Sequence, residues 1–378
     1  MKIPLMRPFI GREEEREVVK VLRSGWVTQG PKVEEFERVV AHYVGAKYAV
    51  ATSSATTALF LSLYIKGIGS GNEVIVPSFS FIASANVIIH AGAKPVFVDM
   101  DPRTYNMDPA KIEGALTKKT KAILAVDQVG LPCDLDLIHK IAKKHKLIVI
   151  EDAACAMGSV YKRKRVGSIS ELTCFSFHPR KLVTTGDGGM ITTNNERLAE
   201  RAKLLRNQGM SASDVVRHKA KRIIHEGYPE VGFNFRLTDI QAAVGLSQMK
   251  KFPAIFAKRE KLAKRYDKAF LKSEYIIPPF IPKGYVTNRQ TYIVRLKKEC
   301  KMSRDGLMQK LLDVGIASRR GVMAAHLEPP YRKMYPKLSL PETESATKET
   351  IALPLYSQMT KREQDFVINN VLDFSNEK

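Results

Sequence analysis

The chain has 378 residues, 44% hydrophobic and 26% charged, values close to those of ordinary folded proteins, which excludes a disordered or fibrous chain. No apolar run is long enough to cross a bilayer, and the N-terminal MKIPLMRPFIGREEE reaches charged residues too soon for a signal-peptide core, so a cytoplasmic protein with no membrane partner is expected. The net charge of +22 would suit nucleic acid, but its basic runs, KKTK (118–121), HKIAKKHK (139–146), YKRKRVG (161–167) and RHKAKR (217–222), are scattered and lack a nucleic-acid motif; a solvated basic surface is the expectation.

In chain order, short apolar runs alternate with helical patterns, the signature of βα units building a mostly parallel sheet. The predicted strands are 48–52, 74–77, 95–99, 122–127, 147–152, 173–177 and 190–193. Helical patterns lie between them at 32–43, 55–65, 81–91, 135–145 and 197–206. Thr238 and Asp239 read as a helix start, and a basic helical stretch begins after Pro253. A boundary near there gives a large domain over 1–250 and a smaller α/β domain over 251–378. The latter holds a strand-like TYIVRL (291–296), a helix capped by Ser303 and a final helix over 361–372. Cys133, Cys155, Cys174 and Cys300 lack CxxC spacing, so free thiols and no metal are expected.

Three segments carry chemistry. In TCFSFHPRKLVTTGDGGMI a strand ends and then exposes Lys181, at the strand end where ligands bind open α/β sheets. A lysine there forms a Schiff base with an aldehyde cofactor if its amine is kept nucleophilic. In LIVIEDAACAMGS an apolar strand terminates in Glu151 and Asp152. A buried carboxylate needs a cation, and a protonated pyridine nitrogen is one; capping of a helix from Ala153 onward is the competing role for Asp152. In VATSSATTALFLSL a strand is followed by small hydroxyl residues opening a helix, where free N–H groups and the dipole suit a phosphate. Ala55 and Thr56 are the candidates, with Ser176 from the strand before Lys181; an N-cap without ligand is the alternative. Gly186, Gly188 and Gly189 lack the setting of a nucleotide loop and read as a tight turn.

In order and spacing these segments resemble the DegT/DnrJ/EryC1/StrS family of sugar aminotransferases. RSGWVTQGPKVEEFE, VIVPSFSFIASANVIIHAGAKPVFVDMDPRTYNMDP, LLRNQG, GFNFRLTDIQAAVG and IALPLYSQMT extend the resemblance over nearly the whole chain. It implies a fold-type-I transferase dependent on pyridoxal 5'-phosphate, with pyridoxamine 5'-phosphate formed in turn. Glutamate and a nucleotide-linked keto sugar are the implied substrates. It makes Lys181 the Schiff-base lysine, Asp152 the pyridinium partner and Phe81 the plate stacked on the cofactor ring. Asn234 would reach the phosphate bound by a second subunit, which implies a homodimer. Trp26 would lie beside the sugar nucleotide; Arg236, Arg319 and His326 complete the candidates for substrate contact.

Two positions depart from the family. Cys155 stands where relatives usually carry glutamine or histidine near the cofactor's phenolic oxygen, and it is retained as a cofactor contact although a thiol donates only weakly. Asp127 and Gln128 stand where many relatives have a histidine and a hydrophobic residue, so an altered substrate pocket is expected. The rival readings are a pyridoxamine-phosphate sugar dehydratase, which an intact Lys181 disfavours, and a regulatory protein that retains the fold without catalysis.

Overall fold

The computed structural model describes residues 1–212, 217 and 220–377. Residues 218 and 219 of the basic run 217–222 lie outside the described residues.

Nine strands belong to the first half of the chain: β1 (Tyr48–Thr52), β2 (Glu73–Pro77), β3 (Lys94–Val98), β4 (Thr120–Val126), β5 (Ile148–Asp152), β6 (Val160–Tyr161), β7 (Lys164–Arg165), β8 (Leu172–Ser176) and β9 (Gly189–Thr193). Seven of them form one sheet in the order β1-β9-β8-β5-β4-β2-β3. Only β9 runs against its neighbours β1 and β8, so the sheet is mostly parallel, as the alternating βα pattern predicts.

Successive strand residues point to opposite faces, and both faces are covered. Val50, Val74, Val76, Leu124, Ile150, Cys174 and Ile191 pack under the helices Ala55–Ile65, Ala83–His90 and Glu196–Arg206. Their alternates face the other way: Ile75, Ile123, Ala125 and Val149 meet the helix Leu135–His145, while Ala49, Ala51, Phe175 and Met190 meet the helix Pro31–Val44. Double coverage is why these strands read as continuous apolar runs.

The remaining strands are β10 (Ile276–Ile277), β11 (Tyr285–Val286), β12 (Tyr292–Leu296), β13 (Arg319–Arg320) and β14 (Thr350–Leu353). A second, antiparallel sheet has the order β10-β12-β14-β13, and β11 joins β6 and β7 in a third. The helices Arg304–Asp313 and Lys361–Asn376 cover the second sheet.

The two helical runs expected on either side of Pro253 are one helix, Asp239–Phe270. A proline inside a helix costs about 3 kcal/mol. Here Leu246, Met249, Phe252 and Ile255 bury against the large sheet's core, and Ala263, Tyr266 and Phe270 against the second sheet. Burial of each large side chain contributes about 1.5–3 kcal/mol, so packing on both flanks of Pro253 outweighs its cost. Thr238 caps this helix, its Oγ1 accepting from the Gln241 N–H at 3.2 Å. Ile3 packs with the second sheet, while Ala325, Tyr331 and Leu340 pack on the first, so segments from early and late in the chain cross between the two sheets. Among the described residues no helix is long and apolar enough to cross a membrane.

Candidate active site

The C-terminal ends of β1, β5 and β8 converge, and each delivers one of the three segments singled out in the sequence. Asp152, the last residue of β5, is 5% exposed. Its Oδ2 accepts from the Ser84 hydroxyl at 2.8 Å and its Oδ1 from the Ala154 N–H at 3.1 Å. Burial raises its carboxyl above the usual range, with those two donors and the charge of Lys181 acting in the opposite direction. The residues after Asp152 form turns and no helix, so the helix-capping role has no helix to serve.

Lys181 lies in the loop after β8, where its N–H donates to the His178 carbonyl at 2.8 Å and the buried Leu182 and Val183 anchor the chain behind it. Its Nζ donates to Cys155 Sγ at 3.0 Å. Cys155 follows Asp152 by one turn, and its carbonyl accepts from Asn288 Nδ2 at 2.8 Å. The thiol therefore steadies the lysine's amine, and Asn288 steadies the thiol's backbone.

At the end of β1, Ser54 caps the helix Ala55–Ile65 through the Thr57 N–H at 3.1 Å. The first helical N–H groups, those of Ala55 and Thr56, have no acceptor within the helix and point outward with the positive end of its dipole. Gly189 does more than close a turn: a Cβ there would come within 2.3 Å of the Ser54 carbonyl and 2.6 Å of the Ala55 nitrogen. Only glycine lets β9 run this close beneath the cradle. Ser176 is buried at the end of β8, its Oγ accepting from the His178 N–H at 3.3 Å.

Phe81 is 64% exposed, not a core phenylalanine, and its segment is tied down by Ser80, whose hydroxyl lies 2.8 Å from that of Ser84. Asn234 is exposed on a backbone pinned by its neighbours: Phe233 N–H donates to Leu205 at 2.6 Å, and the Phe235 carbonyl accepts from Ser53 N–H at 2.8 Å. Arg236 donates to Asn207 Oδ1 at 2.9 Å. Trp26 is half-buried against Gly30, where a Cβ would meet its ring at 2.7 Å. Arg319 is pushed below the usual guanidinium range by burial first and then by the neighbouring charges of Arg180 and Arg320, so cations gather beside the lysine loop.

Two expectations need correction. His326 is 1% exposed, with Nδ1 at 2.6 Å from the Ser78 hydroxyl and Nε2 at 3.3 Å from Glu344; both ring nitrogens are spent inside the fold, leaving none to face a substrate. Asp127 and Gln128, expected to alter the substrate pocket, are also buried. Asp127 Oδ1 accepts from the Cys133 N–H at 2.8 Å, and Gln128 Nε2 donates to the Phe79 carbonyl.

Sequence reasoning missed Ser84 and Asp239. Ser84 has a signal, since Ser80 and Ser84 lie one helical turn apart just after a strand. Asp239 reads only as the start of its own helix. Its carboxylate instead accepts from the N–H groups of Gly30 at 2.8 Å, Lys32 at 3.0 Å and Val33 at 3.0 Å, capping a helix 209 positions away.

These residues fit pyridoxal phosphate: a buried carboxyl short of a cation, an amine at a strand end, and outward N–H groups for a phosphate. The profile of the DegT/DnrJ/EryC1/StrS aminotransferase family matches residues 8–372. The spore coat polysaccharide biosynthesis protein SpsC of Bacillus subtilis is 40% identical over 375 residues, covering 98% of this chain and 96% of that one. GDP-perosamine synthase of Caulobacter vibrioides is 38% identical over 372 residues, covering 97% and 96%. Among solved structures, Spr1654 of Streptococcus pneumoniae in its PMP form superposes with a TM-score of 0.93 at 32% identity, covering 99% of each chain. The chain belongs to the DegT/DnrJ/EryC1/StrS aminotransferase family, whose members depend on pyridoxal phosphate.

Proposed function

We propose that this chain transfers an amino group from glutamate to a nucleotide-linked keto sugar, in the cytoplasm, at a site completed by a second copy of the chain. The observation that carries the reading is the pair formed by buried Asp152 and Lys181, set beside an outward-facing helix N-terminus. Relatives named for GDP-perosamine synthesis and for spore coat polysaccharide biosynthesis support a sugar as the acceptor.

Pyridoxal phosphate, when bound, supplies a ring that draws electrons from the substrate carbon and an aldehyde carbon that carries the amino group. The protein's part is to place and protonate. Asp152, oriented by Ser84, would keep a proton on the pyridine nitrogen. Ala55 and Thr56 N–H groups, with Ser176, would hold the phosphate, and Phe81 would cover the ring. Lys181 Nζ would hold the cofactor and, as the one mobile base, would move the proton at the substrate carbon. Cys155 Sγ, a weak acceptor, orients that amine without immobilising it.

Asn234, exposed on a fixed backbone, reaches the phosphate held by the other subunit. Trp26, Arg236 and Arg319 contact the sugar nucleotide, with Arg180 and Arg320 adding charge for its diphosphate. His326 keeps the Ser78 loop in place instead of touching the sugar.

An absorption spectrum and an acceptor screen test this together. The purified protein should bind pyridoxal phosphate with a visible band that borohydride abolishes and Lys181→Ala removes. Glutamate plus a nucleotide-linked keto sugar should then yield 2-oxoglutarate, and Lys181→Ala should lower that rate by about four orders of magnitude. A colourless protein indifferent to the cofactor would overturn the reading, and so would a coloured one that forms no oxoglutarate with any acceptor.

A further inference from the structure

Directly behind the site, on the opposite face of the sheet from Asp152, lie two carboxyl groups the mechanism does not use. Asp127 and Glu151 are both fully buried, on the neighbouring strand ends of β4 and β5, where Ala125 faces Glu151 and Val126 faces Asp152. Alternation along the strands turns Asp127 and Glu151 toward the same side, away from Asp152. One oxygen of each is used: Asp127 Oδ1 takes the Cys133 N–H at 2.8 Å, and Glu151 Oε2 takes the Thr173 hydroxyl at 2.9 Å.

The other two oxygens, Asp127 Oδ2 and Glu151 Oε1, are buried without a hydrogen-bond partner of good geometry among the described residues, although the Ser170 side chain eases Glu151 and the Cys133 side chain eases Asp127 in part. The Cys133 thiol donates to the Val126 carbonyl, and His139 reaches Ser170 at 3.2 Å. Among the described residues no lysine or arginine acts on either carboxyl. Two unpaired carboxylates in such a place would each cost several kcal/mol and repel one another. A single proton between the two orphaned oxygens removes both penalties, because one group becomes the donor the other lacks.

We propose that Asp127 and Glu151 share one proton between Asp127 Oδ2 and Glu151 Oε1, and that this bonded pair, with its single remaining negative charge, acts as a positioning element for Asp152 and the turn 127–133. Burial pushes both carboxyls up, Asp127 well above the usual range with the nearby Glu151 charge adding to the effect, while the contact with Asp127 eases Glu151, in keeping with a proton retained on the pair. The bond ties β4 to β5 one residue before Asp152, and the Asp127 N–H donates to the Asp152 carbonyl at 3.0 Å. The turn it starts carries Gln128, which holds the Phe79 carbonyl two residues before Phe81, and Gly130, whose carbonyl accepts from Ser159 at 2.7 Å. The pair thus braces both the carboxyl beneath the pyridine ring and the segment that bears its aromatic cover. The proton stands apart from the proposed function; the positioning rests on it.

Infrared spectroscopy of the cofactor-free protein reads the proton directly. At neutral pH the wild type should show the C=O stretch of a protonated carboxyl, shifted by carbon-13-labelled aspartate. Both Asp127→Asn and Glu151→Gln should lose it, since an amide N–H then replaces the proton. Absence of the band in the wild type, or its survival in either variant, overturns the sharing. For the positioning, the reconstituted protein's visible band is titrated with pH. Each single variant keeps one negative charge and should match the wild type, whereas the double variant Asp127→Asn/Glu151→Gln, isosteric but neutral, should shift the midpoint. An unshifted midpoint overturns the positioning. A protein with no visible band at all would instead count against the proposed function, leaving the infrared result to stand.

Discussion

Arg259 beside the second sheet and Asp152 at the end of the first are both charged and both out of water, yet their surroundings differ in kind. Arg259 is spent on the fold: Nη1 donates to the Leu355 carbonyl at 2.6 Å, and Nη2 to the Arg289 and Gln290 carbonyls at 2.6 and 2.7 Å. Asp152 receives one hydroxyl and one N–H, and burial still lifts its carboxyl. A buried charge whose bonds join two distant loops is a structural fastener. One that stays under-served is reserved for something that arrives later.

The contrast can be broken by exchanging each charge for a neutral side chain. Arg259→Met leaves three carbonyls without a donor and should lower the unfolding free energy by about 3 kcal/mol in urea titration, the largest effect expected. Asp152→Asn should do the reverse to the cofactor-free protein, raising its stability at neutral pH because an unfavourable buried charge is gone. The pH dependence carries the sign. A carboxyl raised on folding contributes stability that is complete below its unfolded value, about 4, and is lost as pH rises through its folded value. The variant should therefore flatten part of the decline in stability above about pH 4, with Asp127 and Glu151 retaining their share. The same substitution should cost roughly a hundredfold or more in transamination rate, since an amide cannot hold the pyridinium proton. Ser84→Ala sharpens the comparison at its smallest scale. Loss of the one hydroxyl that orients Asp152 is worth about 1 kcal/mol, read as a several-fold drop in rate with little change in cofactor affinity.

Much of this was legible in the chain. The strands of the large sheet announce themselves because burial on both faces makes them unbroken apolar runs, and Lys181, Asp152 and Thr56 sit at strand ends marked by abrupt changes from apolar to polar. What stayed hidden depends on distance along the sequence. Nothing near Asp239 says that it caps a helix starting at Pro31. His326 follows a small-residue run that gives no hint of Ser78, 248 positions away, and so reads as a free imidazole. Asp127 reads as a pocket residue because its partner Glu151 belongs to the next strand and the parity that turns both away from the site is set only when β4 and β5 pair. Pro253 misleads for a different reason: local propensity argues for a break, and tertiary packing on both sides overrules it.

That uninterrupted helix has a consequence for how the protein is made. A nascent chain that stops at residue 250 has completed every strand of the large sheet, but it holds only the first part of the helix and lacks Phe252 and Ile255, which close that sheet's apolar core. Ile3, meanwhile, waits for Tyr266, Phe270 and the second sheet. Synthesis order and folding order are therefore out of step. The first body cannot finish folding until the second has begun, and Ile3 finds its place only after partners made much later in the chain.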